Sequence, residues 1–217
     1  MAKPSPASET PETAKTMTRR EPTQERAKAR VERILVSASE LIAETGSDTV
    51  RMTEVAARAG IPIGSLYQYF PDKGAILRLL AMRFMERVRV SLAEGLKDIA
   101  SADEALARID AILEGYYATF INEPVVRDVW SGTQSDKALQ VLDIEDSREN
   151  GRLVAVALKH LVPEEKHARF DAGCFLLMQM AGAAVRLAIA VEREEGDLLV
   201  EEFRRLTRSE LSHYLRA

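Results

Sequence analysis

The residues most often used for catalysis or metal binding are scarce in this chain: three histidines, His160, His167 and His213, and one cysteine, Cys174. The histidines fall at no spacing that serves a metal centre or a catalytic set. His160 and His167 stand seven apart, but Pro163 lies between them, so they need not share a helix face. Cys174 sits in an apolar run and reads as a core residue rather than a nucleophile. No glycine-rich phosphate loop is present. The sequence therefore points away from an enzyme, a cofactor and a metal. A single cysteine excludes an intramolecular disulfide and suits a reducing compartment.

Hydrogen-bonding chemistry concentrates instead between Arg51 and Lys73, RMTEVAARAGIPIGSLYQYFPDK. Ser65 and Gln68 can reach the edges of nucleic-acid bases, and the Gln amide matches adenine N6 and N7. Tyr67 and Tyr69 offer hydroxyls to phosphate, and Lys73 a charge. Gly64 lets a backbone come close to DNA.

The elements that must position these groups follow from the same stretch. Met52 to Ala59 reads as one short helix and Ile63 to Tyr69 as another, separated by Gly60-Ile61-Pro62. Neither is long enough to be stable alone. Gly60 can take a positive φ at the turn without a Cβ penalty, and Pro62 suits the start of a helix. Val55, Ala56 and Ala59 are small enough for close crossing. The bracing helix is supplied upstream, where Val31, Ile34, Leu35, Ala38, Leu41 and Ile42 recur at helical spacing and Gly46 closes the run. Thr23 is its expected N-cap. With Leu66 and Phe70 turned inward, Ile63, Gly64, Ser65, Gln68 and Tyr69 face out. This is a helix-turn-helix layout, whose second helix enters the major groove.

Over about residues 26–78 the sequence resembles the TetR family of bacterial repressors. The resemblance rests on the helix ending at Gly46, on Val55-Ala56 and Ala59-Gly60-Ile61, and on Gly64-Ser65-Leu66-Tyr67-Gln68-Tyr69-Phe70 followed by Lys73. It implies DNA contacts at Pro62, Ile63, Gly64, Ser65, Gln68, Tyr69 and Lys73, backbone-phosphate contacts at Arg51 and Thr53, and a Tyr67 that half packs and half touches phosphate. Tyr69 stands where many members have His, which puts the base preference in question. The resemblance also implies a palindromic double-stranded operator, a homodimer, a small-molecule effector and repression as the default.

The rest reads as helix throughout, about nine in all, with no strand alternation and no internal repeat. Asp72 caps a long helix carrying Ile76, Leu77, Leu80 and Phe84. Ser101 and Glu104 form a capping-box pattern. Further helices are expected to Trp130, from Ser135 to His160, from Pro163 to Glu195, and from Gly196-Asp197 through His213. The expected fold is all-α: residues 1–22 a disordered tail, 23–72 a three-helix DNA-binding domain, and 73–217 a helical ligand-binding and dimerisation domain. Lys15, Arg19 and Arg20, at the end of the tail, either brush phosphate or form a solvated leader. Ala181-Gly182-Ala183-Ala184 and the final helix (Leu198, Leu199, Phe203, Leu206, Leu211, Tyr214) are expected either to form half of a four-helix dimer interface or to pack within the monomer. Tyr116, Tyr117, Phe120, Trp130, Met178 and Arg186 are pocket candidates. Arg186 interrupts an apolar helix and needs a buried acid, a carbonyl or an anionic ligand.

Charge is asymmetric. The first 90 residues hold 15 Lys+Arg against 11 Asp+Glu, the remainder 15 against 23, within a net charge of -4. A basic front and an acidic back suit a chain whose front alone meets phosphate. No stretch approaches the roughly 20 apolar residues of a membrane span and no secretory signal opens the chain, so a cytoplasmic location is expected. Two other readings stay open: a helical protein-interaction adaptor, and a DNA-binding protein without a ligand.

Overall fold

Helices α1 (Ala14–Thr45), α2 (Met52–Arg58) and α3 (Ile63–Tyr69) make an N-terminal unit. Helices α4 (Lys73–Gly95), α5 (Ala102–Asn122), α6 (Pro124–Ser131), α7 (Lys137–Leu158), α8 (His167–Ala188) and α9 (Arg193–Leu215) make the rest, with short 3₁₀ turns at Lys159–Leu161 and Glu164–Lys166. The structure, a computed structural model, describes residues 14–131 and 136–215, with side chains from residue 24 onward. Among the described residues there is no strand, and the nine helices agree with the sequence-based expectation.

Most boundaries follow from local chemistry. Gly46 ends α1 at φ +81°, donating its N–H to the Ile42 carbonyl at 2.8 Å. Asp72 caps α4, its carboxylate accepting from the Ala75 N–H at 2.7 Å. Ser101 Oγ accepts from the Glu104 N–H at 3.2 Å, while the Glu104 carboxylate reaches back to the Ala100 N–H at 2.9 Å. Asp136 caps α7 through the N–H groups of Ala138 and Leu139. Ser135, the expected start, lies outside the described residues.

Two boundaries differ from expectation. The first concerns residues 14–22, expected as tail, which form the opening turns of α1, so Thr23 lies inside the helix and is not its cap. Ala, Lys, Arg, Glu and Met in this stretch favour extending a helix already packed downstream, against the cost of Pro22 in its interior. Residues 1–13 and the side chains of Lys15, Arg19 and Arg20 lie outside the described part. The second is at the other end. The break between α8 and α9 falls at residues 189–192, and Gly196 lies in the first turn of α9 rather than before it. The glycine serves contact, not interruption. A Cβ on Gly196 would sit 2.3 Å from the Ala188 carbonyl oxygen, so its absence lets α9 start against the end of α8. Gly151 does the same between α7 and α8, where a Cβ would meet the Phe175 Cα at 2.6 Å.

The cores are separate, and α4 joins them. Ile34, Leu35, Leu66 and Ile76 are among the fully buried side chains of the N-terminal core. Leu92, Leu106, Leu158 and Phe170 belong to the larger C-terminal core. Helix α4 gives Ile76 to the first, Leu92 to the second, and Phe84 and Met85 to an aromatic cluster between them.

The stretch Glu164–Ala188 is long and apolar enough, by length and composition alone, to cross a membrane, contrary to the reading that no stretch comes near that. In the fold it packs between α7 and α9 and buries Phe170, Cys174, Ala181, Gly182, Val185 and Ala188. Burial pushes the Cys174 thiol up to about 12, so it is not poised as a nucleophile.

Candidate nucleic-acid interface and the cavity behind it

The turn between α2 and α3 is set by backbone geometry. Gly60 sits at φ +65°, the Ile61 N–H bonds to the Ala56 carbonyl at 3.1 Å, and the Gly60 N–H to the Ala57 carbonyl at 3.2 Å. This paired termination needs a left-handed residue at its centre, which glycine takes without penalty. Pro62 then opens α3, its carbonyl accepting from the N–H groups of Ser65 and Leu66. Helix α2 is tied to α1 by a bidentate pair, Arg58 to Glu44 at 2.7 and 2.8 Å, which holds the Glu44 carboxyl below its usual range.

Leu66 and Phe70 turn inward, as their spacing predicts. Ile63, Gly64, Tyr67 and Gln68 form the outward face, and Pro62, Arg51 and Thr53 are exposed beside it. A Cβ on Gly64 would meet nothing within 4 Å, so a surface can approach the backbone there. Ser65 is half-buried and accepts a hydrogen bond from Arg30 Nη1 at 3.4 Å. Arg30, on α1, places a cation against α3; it escaped the sequence reading because 35 residues separate the partners.

Tyr67, expected to half pack, is 51% exposed, in keeping with that expectation. Two sequence-level assignments change in detail. Tyr69, expected to face out, is half-buried against the N-terminal core. Four-residue spacing puts Tyr69 on the side of Ser65, toward α1, and Tyr67 on the free side with Ile63. Lys73 lies farther in than a free phosphate-binding cation would: its ammonium donates to the carbonyls of Ser47 at 2.7 Å and Asp48 at 2.9 Å. It thereby braces the α1–α2 connection, leaving one of three donors for other partners.

Behind this unit, side chains of α4, α5, α6, α7 and α8 line a cavity of about 60 Å³. Phe84, Met85, Ile109 and Leu113 contribute to its apolar wall, and Tyr116, Trp130 and Met178 line it as the sequence reading proposed. Tyr117, Phe120 and Arg186, expected with them, do not line it. The Tyr117 hydroxyl donates to Asp197 at 2.9 Å on the far side of α5, and Phe120 is fully buried, 5.2 Å from Phe84 in the aromatic cluster. Tyr117 is turned about 100° around α5 from Tyr116, whereas Phe120 shares the Tyr116 face one turn farther on, its ring 5.0 Å from that of Tyr116.

The polar wall was not anticipated. Asp143, Asp146, Ser147 and Asn150, spaced by three and four on α7, present one face to the cavity. Arg186 pairs with Asp143 at 3.5 Å, which supplies its buried acid, and Gln179 donates to the same carboxylate at 3.0 Å. Asp146 accepts from Arg89 at 2.5 Å and from Asn150 at 2.8 Å. Burial still raises the Asp146 carboxyl above its usual value, because desolvation outweighs both partners. Burial likewise pushes the Tyr116 hydroxyl well up, with Asp143 adding to it.

One short helix touches both regions. On α6, Trp130 lines the cavity, while Asp128 accepts from the Ser47 N–H at 2.9 Å in the α1–α2 connection.

A turn-linked helix pair with an exposed outward face, carried on a helical body with a cavity, defines a helix-turn-helix regulator of transcription. The chain belongs to the TetR family. Residues 34–80 match "Bacterial regulatory proteins, tetR family", and residues 103–215 match "Tetracyclin repressor-like, C-terminal domain". The chain is similar to the HTH-type transcriptional regulator BetI of Cronobacter sakazakii, 26% identical over 129 residues, covering 58% of this chain and 63% of that protein. It is similar to the fatty acid metabolism regulator protein of Bacillus subtilis, 34% identical over 76 residues, covering 35% of this chain and 39% of that protein. These matches thus span less than two thirds of the curated relatives. A TetR-family transcriptional regulator from Streptomyces coelicolor superposes with TM-score 0.65 at 25% identity, covering 86% of this chain and 99% of that one.

Proposed function

We propose that this chain is a homodimeric repressor in the bacterial cytoplasm, which binds a palindromic operator through α3 and leaves it when a small molecule enters the cavity. The observation that carries the reading is the α3 face. Ile63, Gly64, Tyr67 and Gln68 stand exposed on a helix whose other side is anchored by buried Leu66, and the outward side chains have no structural task. Pro62, Ser65 and Tyr69 flank that face, and Arg51, Thr53 and Arg30 supply donors around it for phosphate. Lys73 shapes the interface from behind and has one donor left for phosphate.

The dimer reading rests on α8 and α9. Leu176, Met180, Ala183 and Leu187 recur at four, three and four residues along α8, and all are exposed, as are Leu198 and Leu206 on α9. Two such faces brought together make a four-helix interface. The assignment shifts within the expected region: Ala181, Gly182, Phe203, Leu211 and Tyr214 are buried inside the protomer. A dimer would set two α3 helices about 34–36 Å apart, one turn of DNA.

For release, two routes lead from the cavity to α3. Helix α4 runs from one core to the other, and α6 holds the Ser47 N–H through Asp128. A ligand that shifts Trp130 or Phe84 moves these supports, and a coupling of about 1–3 kcal/mol suffices to change operator affinity 5- to 150-fold. The test is selection of genomic fragments by the purified protein. Enrichment of one inverted-repeat sequence is expected; uniform recovery of all fragments would overturn the reading.

A further inference from the structure

The polar wall of the cavity is rich in acceptors, with Asp143, Asp146 and Asn150 beside the hydroxyls of Ser147 and Tyr116, and the orientation of its one amide adds to them. Asn150 is 6% exposed and lines the cavity. Its amide nitrogen is committed to the Asp146 carboxylate at 2.8 Å, since a carboxylate accepts and cannot donate. The Asn150 Oδ1 therefore points elsewhere, and it has no hydrogen-bond partner. Gln179 repeats the arrangement outside the cavity lining: its nitrogen donates to Asp143 at 3.0 Å, and its Oε1 is left without a partner. An unpaired buried carbonyl carries a desolvation cost that a ligand donor would relieve.

Charge narrows the class further. Asp143 is balanced by Arg186, and Asp146 by Arg89. The four charges sum to zero, so a cationic ligand would bring an uncompensated charge into a buried space. An anionic ligand would face the Asp143 and Asp146 carboxylates and the Asn150 amide oxygen, with the Ser147 and Tyr116 hydroxyls beside them as neutral donors. The remaining lining is apolar, with the Phe84 and Trp130 rings 5.3 Å apart. A cavity of about 60 Å³ is smaller than the order of 150 Å³ that takes a benzene ring. Two unbranched side chains, Met85 and Met178, are the wall elements best able to make room.

From this we infer that the effector is a small neutral molecule with an aromatic or similarly compact apolar body and at least one hydroxyl or amide N–H, whose hydrogen is donated to Asn150 Oδ1. The inference rests on the effector reading above for its biological role, but not for the binding itself.

Four probes of similar shape separate the possibilities on the full-length chain: benzyl alcohol, toluene, benzoate and benzylammonium, each titrated by calorimetry and by thermal shift. Saturable binding of benzyl alcohol is expected, about tenfold tighter than toluene, from one added hydrogen bond to a group otherwise unpaired. Benzoate and benzylammonium are expected to bind more weakly than toluene. Asn150→Leu is expected to bring benzyl alcohol and toluene to the same affinity. Equal or tighter binding of either charged probe, or no saturable binding of benzyl alcohol, overturns the inference; the wild-type ranking decides this even where Asn150→Leu does not fold. Operator release is read in parallel. If benzyl alcohol binds as ranked but leaves DNA affinity unchanged, the ligand class stands and the effector reading falls. If benzoate binds best and releases DNA, the effector reading stands and the ligand class falls.

Discussion

Gln68→Ala isolates base reading from folding. Gln68 is exposed on α3 and donates to no group among the described residues, so its removal leaves nothing buried and unpaired. Alanine is also a slightly better helix former, so stability is expected to stay within about 0.5 kcal/mol of wild type. A bidentate amide-to-base contact discriminates by about 1–3 kcal/mol, and a dimer carries two copies. Operator affinity is then expected to fall by about 2–6 kcal/mol, or about 30-fold to 10⁴-fold. Affinity for random duplex is expected to stay the same, because no charge changes, and the slope of log affinity against log salt with it. Fluorescence anisotropy with operator and scrambled duplexes at two salt concentrations measures all three quantities, with thermal melting as the folding control. An unchanged operator affinity would refute the placement of α3 in the groove. An equal loss on both duplexes would show that Gln68 touches backbone rather than base.

Three other outcomes follow from the geometry. Asp128→Ala removes the acceptor of the Ser47 N–H, and Ser47 is 8% exposed, so a loss of about 1–3 kcal/mol in chemical denaturation is expected, with faster amide exchange at Ser47; unchanged exchange would discount α6 as a support. Met180→Glu puts a charge in the middle of the exposed α8 stripe, and sedimentation is expected to show monomer where wild type sediments as dimer. The Arg204 guanidinium holds the Asp110 carboxyl below its usual range. Its contribution is therefore complete above the unfolded value of about 4 and lost as pH falls through the lowered one. The melting-temperature gap between wild type and Asp110→Asn is expected to be constant near neutrality and to close below about pH 4; a gap that widens on acidification would contradict the pairing.

The sequence alone determined the class of fold and the location of the helix-turn-helix. Those are local matters: helical spacing of Ile34, Leu35, Ala38 and Leu41 marks a packing stripe, and Gly60 between two short apolar-faced runs marks a turn. The cap at Asp72 and the inward set of Leu66 and Phe70 are legible for the same reason. What spacing did not determine is which outward faces meet each other. Tyr67 and Tyr69 are alike in type, and only the position of α1 makes one exposed and the other half-buried. Lys73 looks like a free cation until the fold brings the Ser47 and Asp48 carbonyls, some 25 residues away, to its ammonium. Gly196 reads as a breaker, and the fold uses its missing Cβ for contact with Ala188. The polar face of α7 looks like an ordinary solvated stripe of Asp, Ser and Asn. Only the packing of α4, α5 and α8 around it turns those residues into a cavity wall, because burial comes from partners distant in the chain.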